Sequence, residues 1–401
     1  MPTDGIASHI AQRMESASWI REMFERGLRM KAEHGPDNVY DFSLGNPSNP
    51  PQEAFFDALQ AVASERDPLR HRYMPNAGFP ETRGAIAAYI REEYEYALDD
   101  DGVILTSGAA GGLNVVLNTV CEPGDEVIVL APYFPEYRFY VEQAGAKLVE
   151  VQTDDDFQPN PKALADALTG RTRVVILNSP NNPTGVVYTG ERMQALVDVV
   201  SARDSDANPL YILQDDPYRR VVFNGAKPAT PGNAYPRTVL VASFSKDVSI
   251  AGERSGFITV QDSLPMRSRL LDGLTMLNRT LGFVNMNATM QRVLARCAGA
   301  LSDVAAYQRN RDLLCGMLAE LGYEFTQPEG AMFVFPKTPI ADEVEFVEIL
   351  ARHHVLAVPG RGFGRAGHIR LSFAVDPGVI ERARTGFQQA LAECRSLQGG
   401  A

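Results

Sequence analysis

A single lysine, Lys246, follows the apolar run Thr238–Ala242 and sits among the small hydroxyl residues Ser243, Ser245 and Ser249, with Arg254 eight positions further on. An amine so placed can bond an aldehyde, while hydroxyls and a guanidinium beside it can hold an anionic group on the same molecule. A carboxylate, Asp215, closes a second apolar run at Tyr211–Gln214, and Tyr218 comes three residues later. After a third run, Val103–Thr106, the chain reads Ser107-Gly108-Ala109-Ala110-Gly111-Gly112, followed by a helical pattern from Leu113 to Cys121. Small residues let backbone N–H groups approach a phosphate, and the start of a helix favours a dianion. After a fourth run, Val174–Leu177, the segment from Asn178 to Gly185 holds two prolines and three asparagines, a rigid turn that offers amide side chains at a sheet edge.

These groups meet the needs of pyridoxal phosphate one by one. Lys246 would be the amine that anchors its aldehyde as a Schiff base and, once displaced by substrate, a general base. Asp215 beside the pyridine nitrogen would keep it protonated, which lets the ring accept electrons. Tyr218 and Asn182 would reach the phenolic oxygen. Ser107, the backbone around Gly108, Ala109 and Ala110, Ser243 and Arg254 would cradle the phosphate. Asp216, next to Asp215, is expected to face solvent or a structural partner.

The elements that must position these residues are legible as apolar runs. Besides the four already named, Glu126–Leu130, Lys147–Val151 and Phe257–Val260 read as strands, apolar throughout as in a sheet covered on both faces. The expected fold is α/β: a mostly parallel seven-stranded sheet sandwiched by helices, with a smaller α+β domain after it. In that smaller domain a long helix is expected from Met290 toward Leu321, then strands at Met332–Phe335, Leu356–Val358 and Ile369–Phe373 and a helix at Val379–Cys394. The expected division is residues 1–45 as a segment packing on the small domain or a partner subunit, 46–290 as the large domain and 291–401 as the small one.

With 401 residues, 45% of them hydrophobic, the chain can bury substantial cores. Its net charge of −12 argues against a surface built for nucleic acid or anionic lipid. Cys121, Cys297, Cys315 and Cys394 are scattered without Cys-x-x-Cys spacing, so neither a metal site nor a disulfide framework is expected. Asp4, His9, Arg13 and Glu15 interrupt the amino terminus, which therefore does not read as a secretory signal, and no uncharged run approaches a membrane span. A cytoplasmic protein is expected.

Taken in order, Asn182-Pro183-Thr184-Gly185, Asp215-x-x-Tyr218, Ser243-x-x-Lys246 with Arg254, and Ile369-Arg370-Leu371-Ser372 resemble the motif series of the class I/II aminotransferases of the aspartate aminotransferase fold. The resemblance runs from about Asp41 to Ala390. It implies that Arg370 binds the substrate α-carboxylate as a bidentate fork, that Phe134 stacks on the cofactor ring, and that Gly45 and Asn182 lie near that carboxylate. It further implies a homodimer with shared sites, in which Tyr73 reaches the phosphate of the neighbouring subunit. Substrates would be an amino acid and a 2-oxo acid, handled in two stages. Ala110 stands where some aspartate-using members carry a lysine, and Arg279 stands near, but shifted from, an arginine that does the same task in others.

Rival readings fare worse on the same residues. Ser243-x-x-Lys246 also fits a serine acyl-enzyme motif, but the Ser-Asp-Asn and Lys-Thr-Gly partners are not there. The glycines at 108–112 lack dinucleotide spacing. A β- or γ-eliminating lyase on the same cofactor remains the alternative. The stretch Gly360-Arg361-Gly362-Phe363-Gly364 reads either as an active-site wall or as a turn of the small domain.

Overall fold

The computed structural model describes residues 5–15 and 19–399. Residues 1–4 and 16–18 of the amino-terminal segment, Asp4 among them, lie outside the described residues. Twelve strands occur among the described residues: β1 (Tyr40–Asp41), β2 (Val103–Ser107), β3 (Glu126–Ala131), β4 (Lys147–Gln152), β5 (Thr172–Leu177), β6 (Tyr211–Asp215), β7 (Thr238–Ser243), β8 (Ser255–Val260), β9 (Phe333–Val334), β10 (Val355–Leu356), β11 (Val358–Pro359) and β12 (Ile369–Ser372).

Seven of them form one sheet in the order β2-β8-β7-β6-β5-β3-β4. All seven expected runs are in it, each extended by one or two residues. Every pairing is parallel except those of β8, which runs antiparallel to both β2 and β7. That reversal matters for chemistry. It brings the beginning of β8 to the edge where its neighbours end, with Ser255 opposite Ser107 and Gly256 opposite Ser243. Arg254, one residue earlier, is thereby delivered between the ends of two strands.

Both faces of the sheet are covered, which explains why the strands read as unbroken apolar runs. Ile104, Leu213, Val239 and Val241 pack on one side with Leu113, Val116 and Leu117 of the helix Gly108–Val120. Leu105, Leu240, Ala242 and Phe257 pack on the other with the helices Glu53–Ser64, Pro80–Tyr94 and Ala288–Cys297.

A second, antiparallel sheet of order β11-β12-β9 carries Arg370 on its middle strand. The run expected at Leu356–Val358 is split: Leu356 in β10 pairs with β1, and Val358 in β11 pairs with β12. Through the β1–β10 pairing the chain from Phe42 to Gly45 is laid over the sheet edge, tied by the Phe42 N–H to the Leu356 carbonyl at 3.0 Å.

The long helix expected from Met290 to Leu321 is two helices, Ala288–Cys297 and Val304–Glu320. The break has visible causes. The Asp303 side chain caps the second helix by accepting from the Ala306 N–H, and the Ser302 N–H donates outward to the Asp247 carbonyl at 2.5 Å. The apolar period runs straight through the break, so periodicity alone could not reveal it. All four cysteines are free, and no helix among the described residues is long and apolar enough to cross a membrane.

Candidate active site

A cavity of about 370 Å³ opens at the edge where β2, β3, β5, β6 and β7 end. Open α/β sheets bind ligands at this edge, because loops leaving adjacent strands diverge there and expose backbone donors. Of the residues expected from sequence, Gly45, Ala109, Ala110, Phe134, Asn182, Asp215, Tyr218, Ser243, Lys246, Arg254 and Arg370 line it. Ser107 and Gly108 stand directly behind Ala109 at the start of the helix. Tyr73 does not belong to this group, being wholly exposed on the surface of its own chain. Arg279, on the last turn of the helix Arg267–Thr280, is exposed and is not among the lining residues.

Lys246 Nζ donates to the Gly45 carbonyl at 2.5 Å. Burial, with Arg370 and Arg254 adding positive charge nearby, brings its ammonium down to about 8. A substantial neutral fraction near physiological pH is what a nucleophilic amine requires.

Asp215 is buried at the end of β6. The Tyr137 hydroxyl donates to its Oδ2, while Oδ1 is buried with no hydrogen-bond partner. Burial pushes this carboxyl up to about 7, against the Tyr137 hydrogen bond and helped by Asp216. A buried acceptor left open is costly unless a donor completes it, and a protonated ring nitrogen is such a donor. Asp216 turns away to a structural set, accepting from Gln214 at 3.0 Å and Tyr94 at 3.2 Å. Of the two sequence expectations for it, the structural partner is what is found.

Arg370 is 2% exposed, and no carboxylate pairs with it among the described residues. Its Nη1 donates to Asn182 Oδ1 at 3.1 Å and its Nη2 to the Ser43 carbonyl at 2.5 Å, while Nε is buried without a partner. Burial lowers the guanidinium to about 10. Since arginine only donates, the bond fixes the amide orientation of Asn182, leaving its NH2 group to serve the cavity. Burial likewise holds the Tyr218 phenol above its ordinary range.

At the phosphate end, Gly108 has φ +68°, and an added Cβ would lie 2.9 Å from an Arg254 guanidinium nitrogen. Glycine is thus required twice over, for the backbone conformation and for the approach of Arg254. The small residues, the helix start and the guanidinium form a cradle suited to a phosphate.

Several lining or supporting residues were not picked out from sequence. Asn178 donates to the Asp215 carbonyl at 2.9 Å and accepts the Asn182 N–H at 2.8 Å, so it braces two site residues at once. Ile20, Leu44 and Phe333 form apolar wall, and Glu136 and Tyr140 add polar groups. Tyr137 lies in the first turn of the helix Glu136–Gln143, its ring edge-on to that of Phe134 with 5.6 Å between centroids. Phe333 and Ile20 come from distant segments and leave no local signal.

Tyr137→Phe is expected to weaken cofactor binding by about 10- to 150-fold, because a hydrogen bond to a charged group contributes about 1.5–3 kcal/mol. Fluorescence titration of the apoprotein measures it. An unchanged dissociation constant would show that Tyr137 does not hold Asp215 in place.

The chain matches the family model of class I and II aminotransferases over residues 37–387. It belongs to that family. Among its relatives is a probable aspartate/prephenate aminotransferase of Thermus aquaticus, 34% identical over 327 residues, covering 80% of this chain and 84% of that protein. Among solved structures, an aminotransferase from Eubacterium rectale superposes with a TM-score of 0.93 at 35% identity, covering 97% of this chain and 99% of that one. The aspartate aminotransferase of Thermus thermophilus with maleate superposes with a TM-score of 0.85 at 28% identity, covering 96% and 99%. The protein is a pyridoxal-phosphate-dependent aminotransferase; the relatives favour transamination over the eliminating alternative.

Proposed function

We propose that this cavity moves an amino group from an L-amino acid to a 2-oxo acid, with Lys246 as proton carrier and Arg370 as the carboxylate receptor. The observation that carries the reading is the Arg370 guanidinium, buried without a carboxylate in the same cavity as a lysine of lowered pKa. A buried cation calls for an anion, and a planar fork with an open Nε suits a carboxylate.

When bound, pyridoxal phosphate supplies an aldehyde carbon for the amino nitrogen and a ring that accepts the electron pair left at Cα. The chain's residues do the rest. Arg370 fixes the amino acid by its carboxylate, with Asn182 and the Gly45 backbone beside it. Lys246 Nζ, uncharged, would take the Cα proton and pass it to the cofactor's aldehyde carbon, so that the amino nitrogen stays with the cofactor when the 2-oxo acid leaves. Asp215, braced by Tyr137, holds the ring nitrogen protonated. Asn182 and Tyr218 direct polar groups at the phenolic oxygen, Phe134 offers its ring as a stacking face, and Ser107, Gly108, Ala109, Ala110, Ser243 and Arg254 hold the phosphate.

We further assign a homodimer, in which Tyr73 reaches the partner's phosphate, and a cytoplasmic location. Full exposure of Tyr73, together with exposed Phe56, Leu69, Met266 and Met276, favours burial against a second copy. The division into residues 1–45, 46–290 and 291–401 is supported by the pairing of β1 with β10, which links the first segment to the last. Aspartate is placed among the candidate donors on the names of the relatives, with glutamate, alanine and aromatic amino acids beside it.

Mixing the loaded enzyme with single amino acids tests the reading. A loss of the cofactor's aldehyde absorbance with stoichiometric release of the matching 2-oxo acid is expected for the true donors. Ammonia release with the absorbance intact would favour elimination instead, and a protein with no visible absorbance after loading would refute the cofactor assignment.

A further inference from the structure

The glycine-rich turn Gly360–Phe363 lies behind the cavity yet touches Arg370, which lines it, and Tyr133, which precedes the lining residue Phe134. The Arg370 guanidinium carbon sits 4.5 Å from the centre of the Phe333 ring and 4.9 Å from that of Phe363. Phe333 lines the cavity; Phe363, fully buried, does not. Hydrogen bonds to Asn182 and Ser43 hold two guanidinium nitrogens in the plane of the group, and the phenyl faces oppose tilting out of it.

The same turn is keyed into the large sheet. The Tyr133 N–H donates to the Phe363 carbonyl at 3.0 Å, and Gln152 Nε2 donates to the Gly364 carbonyl at 3.1 Å. Gly364 has φ +79°, and an added Cβ would lie 2.9 Å from the Tyr133 ring and 3.3 Å from Ala131 Cβ. Tyr133 immediately precedes Phe134. One turn of the small sheet's segment is therefore in contact with the carboxylate receptor through a side chain and, through a backbone bond, with Tyr133, the residue next to the stacking aromatic.

We propose that Phe363 and Gly364 are positioning residues that register the Arg370 fork against Phe134, so that a carboxylate held by one is presented in line with a ring stacked on the other. The proposal rests on the reading of Arg370 as the carboxylate receptor. It gives the turn a role beyond connecting β11 to β12: Phe363 acts through Arg370, and Gly364 acts through Tyr133.

Phe363→Leu keeps apolar volume but removes the ring face. It is expected to raise KM for the amino acid and the dissociation constant of an unreactive monocarboxylate, propionate, by about 10- to 30-fold, with kcat within about threefold. The cofactor's visible absorbance and dissociation constant stay as in the parent. Gly364→Ala, which forces Tyr133 aside, is expected to shift that absorbance and weaken cofactor binding, the effect that Phe363→Leu lacks. Phe363→Met serves in its place should the leucine variant fail to fold.

Arg370→Lys separates the two levels of the argument. If it leaves KM and propionate binding unchanged, the carboxylate assignment itself falls. If it weakens both while Phe363→Leu and Phe363→Met change neither, only the positioning role is overturned. Equal losses in kcat and in cofactor binding for the leucine variant would also overturn it, since they would mark general packing damage.

Discussion

The Lys246→Ala protein is expected to turn over at least about 10⁴-fold more slowly than its parent, because one residue supplies both the covalent anchor and the proton carrier. No other amine lines the cavity among the described residues. The variant should still fold. Stability in fact shifts the other way, as the lysine is held in the folded state with its ammonium lowered from 10.5 to about 8 by burial. Between those values the unfolded chain binds a proton that the folded chain does not, so stability rises with pH across that window and the cost is complete below it. Lys246→Met, which keeps the apolar stem, is therefore expected to stabilise the apoprotein at pH 7 by up to about 3 kcal/mol, the gain shrinking as pH climbs from 8 toward 10.5. Chemical denaturation of both apoproteins at pH 7 and pH 10 measures the difference. Normal turnover by Lys246→Ala, or a gain that grows with pH, would refute the assigned role or its electrostatic cause.

What the sequence made legible follows from how each residue is specified. Asp215, Ser107 and Ser243 sit at the ends of strands that are apolar throughout, and a polar residue ending such a run is conspicuous. Arg254 is different. It precedes its strand, and only the antiparallel run of β8 puts it beside Ser107 and Ser243. Nothing local announces that reversal; Arg254 stood out only by its spacing from Lys246. The break at Ala298–Asp303 escaped because the apolar period runs through it: of its two causes, the Asp303 cap is local but the Ser302 bond to the Asp247 carbonyl comes from some fifty residues away in sequence. Tyr137 and Phe333 escaped for a related reason. Each looks like core, and each becomes a site residue only when the fold sets it against Asp215 or Arg370. The turn at Gly360–Gly364 was visible as a string of glycines, but its importance lies in Phe363 and in the close pass of Gly364 by Tyr133, both tertiary facts.

Asp215→Asn is expected to cost about 10²–10⁴-fold in turnover while preserving shape, since removing one partner of a buried ion pair costs about 3–5 kcal/mol and each 1.36 kcal/mol is tenfold. The amide keeps an acceptor for Tyr137 but cannot carry the charge that holds the ring nitrogen protonated. A specific pH signature accompanies the loss. In the apoprotein, burial holds the Asp215 carboxyl at about 7, so it is charged above that value and neutral below it. As pH falls through 7 the carboxylate takes up a proton and loses its attraction for a cationic ring, so the parent's affinity for the cofactor declines toward acid. Asp216 and the Asp247 carboxyl, raised by burial to about 6 and about 7, titrate in the same range, and both remain in the variant. Subtracting the two pH profiles of cofactor affinity therefore isolates Asp215: the difference should be largest above pH 7 and vanish below it. Parallel profiles would mean that the open Oδ1 does not face the ring nitrogen, and the cofactor's orientation in the cavity would have to be reassigned.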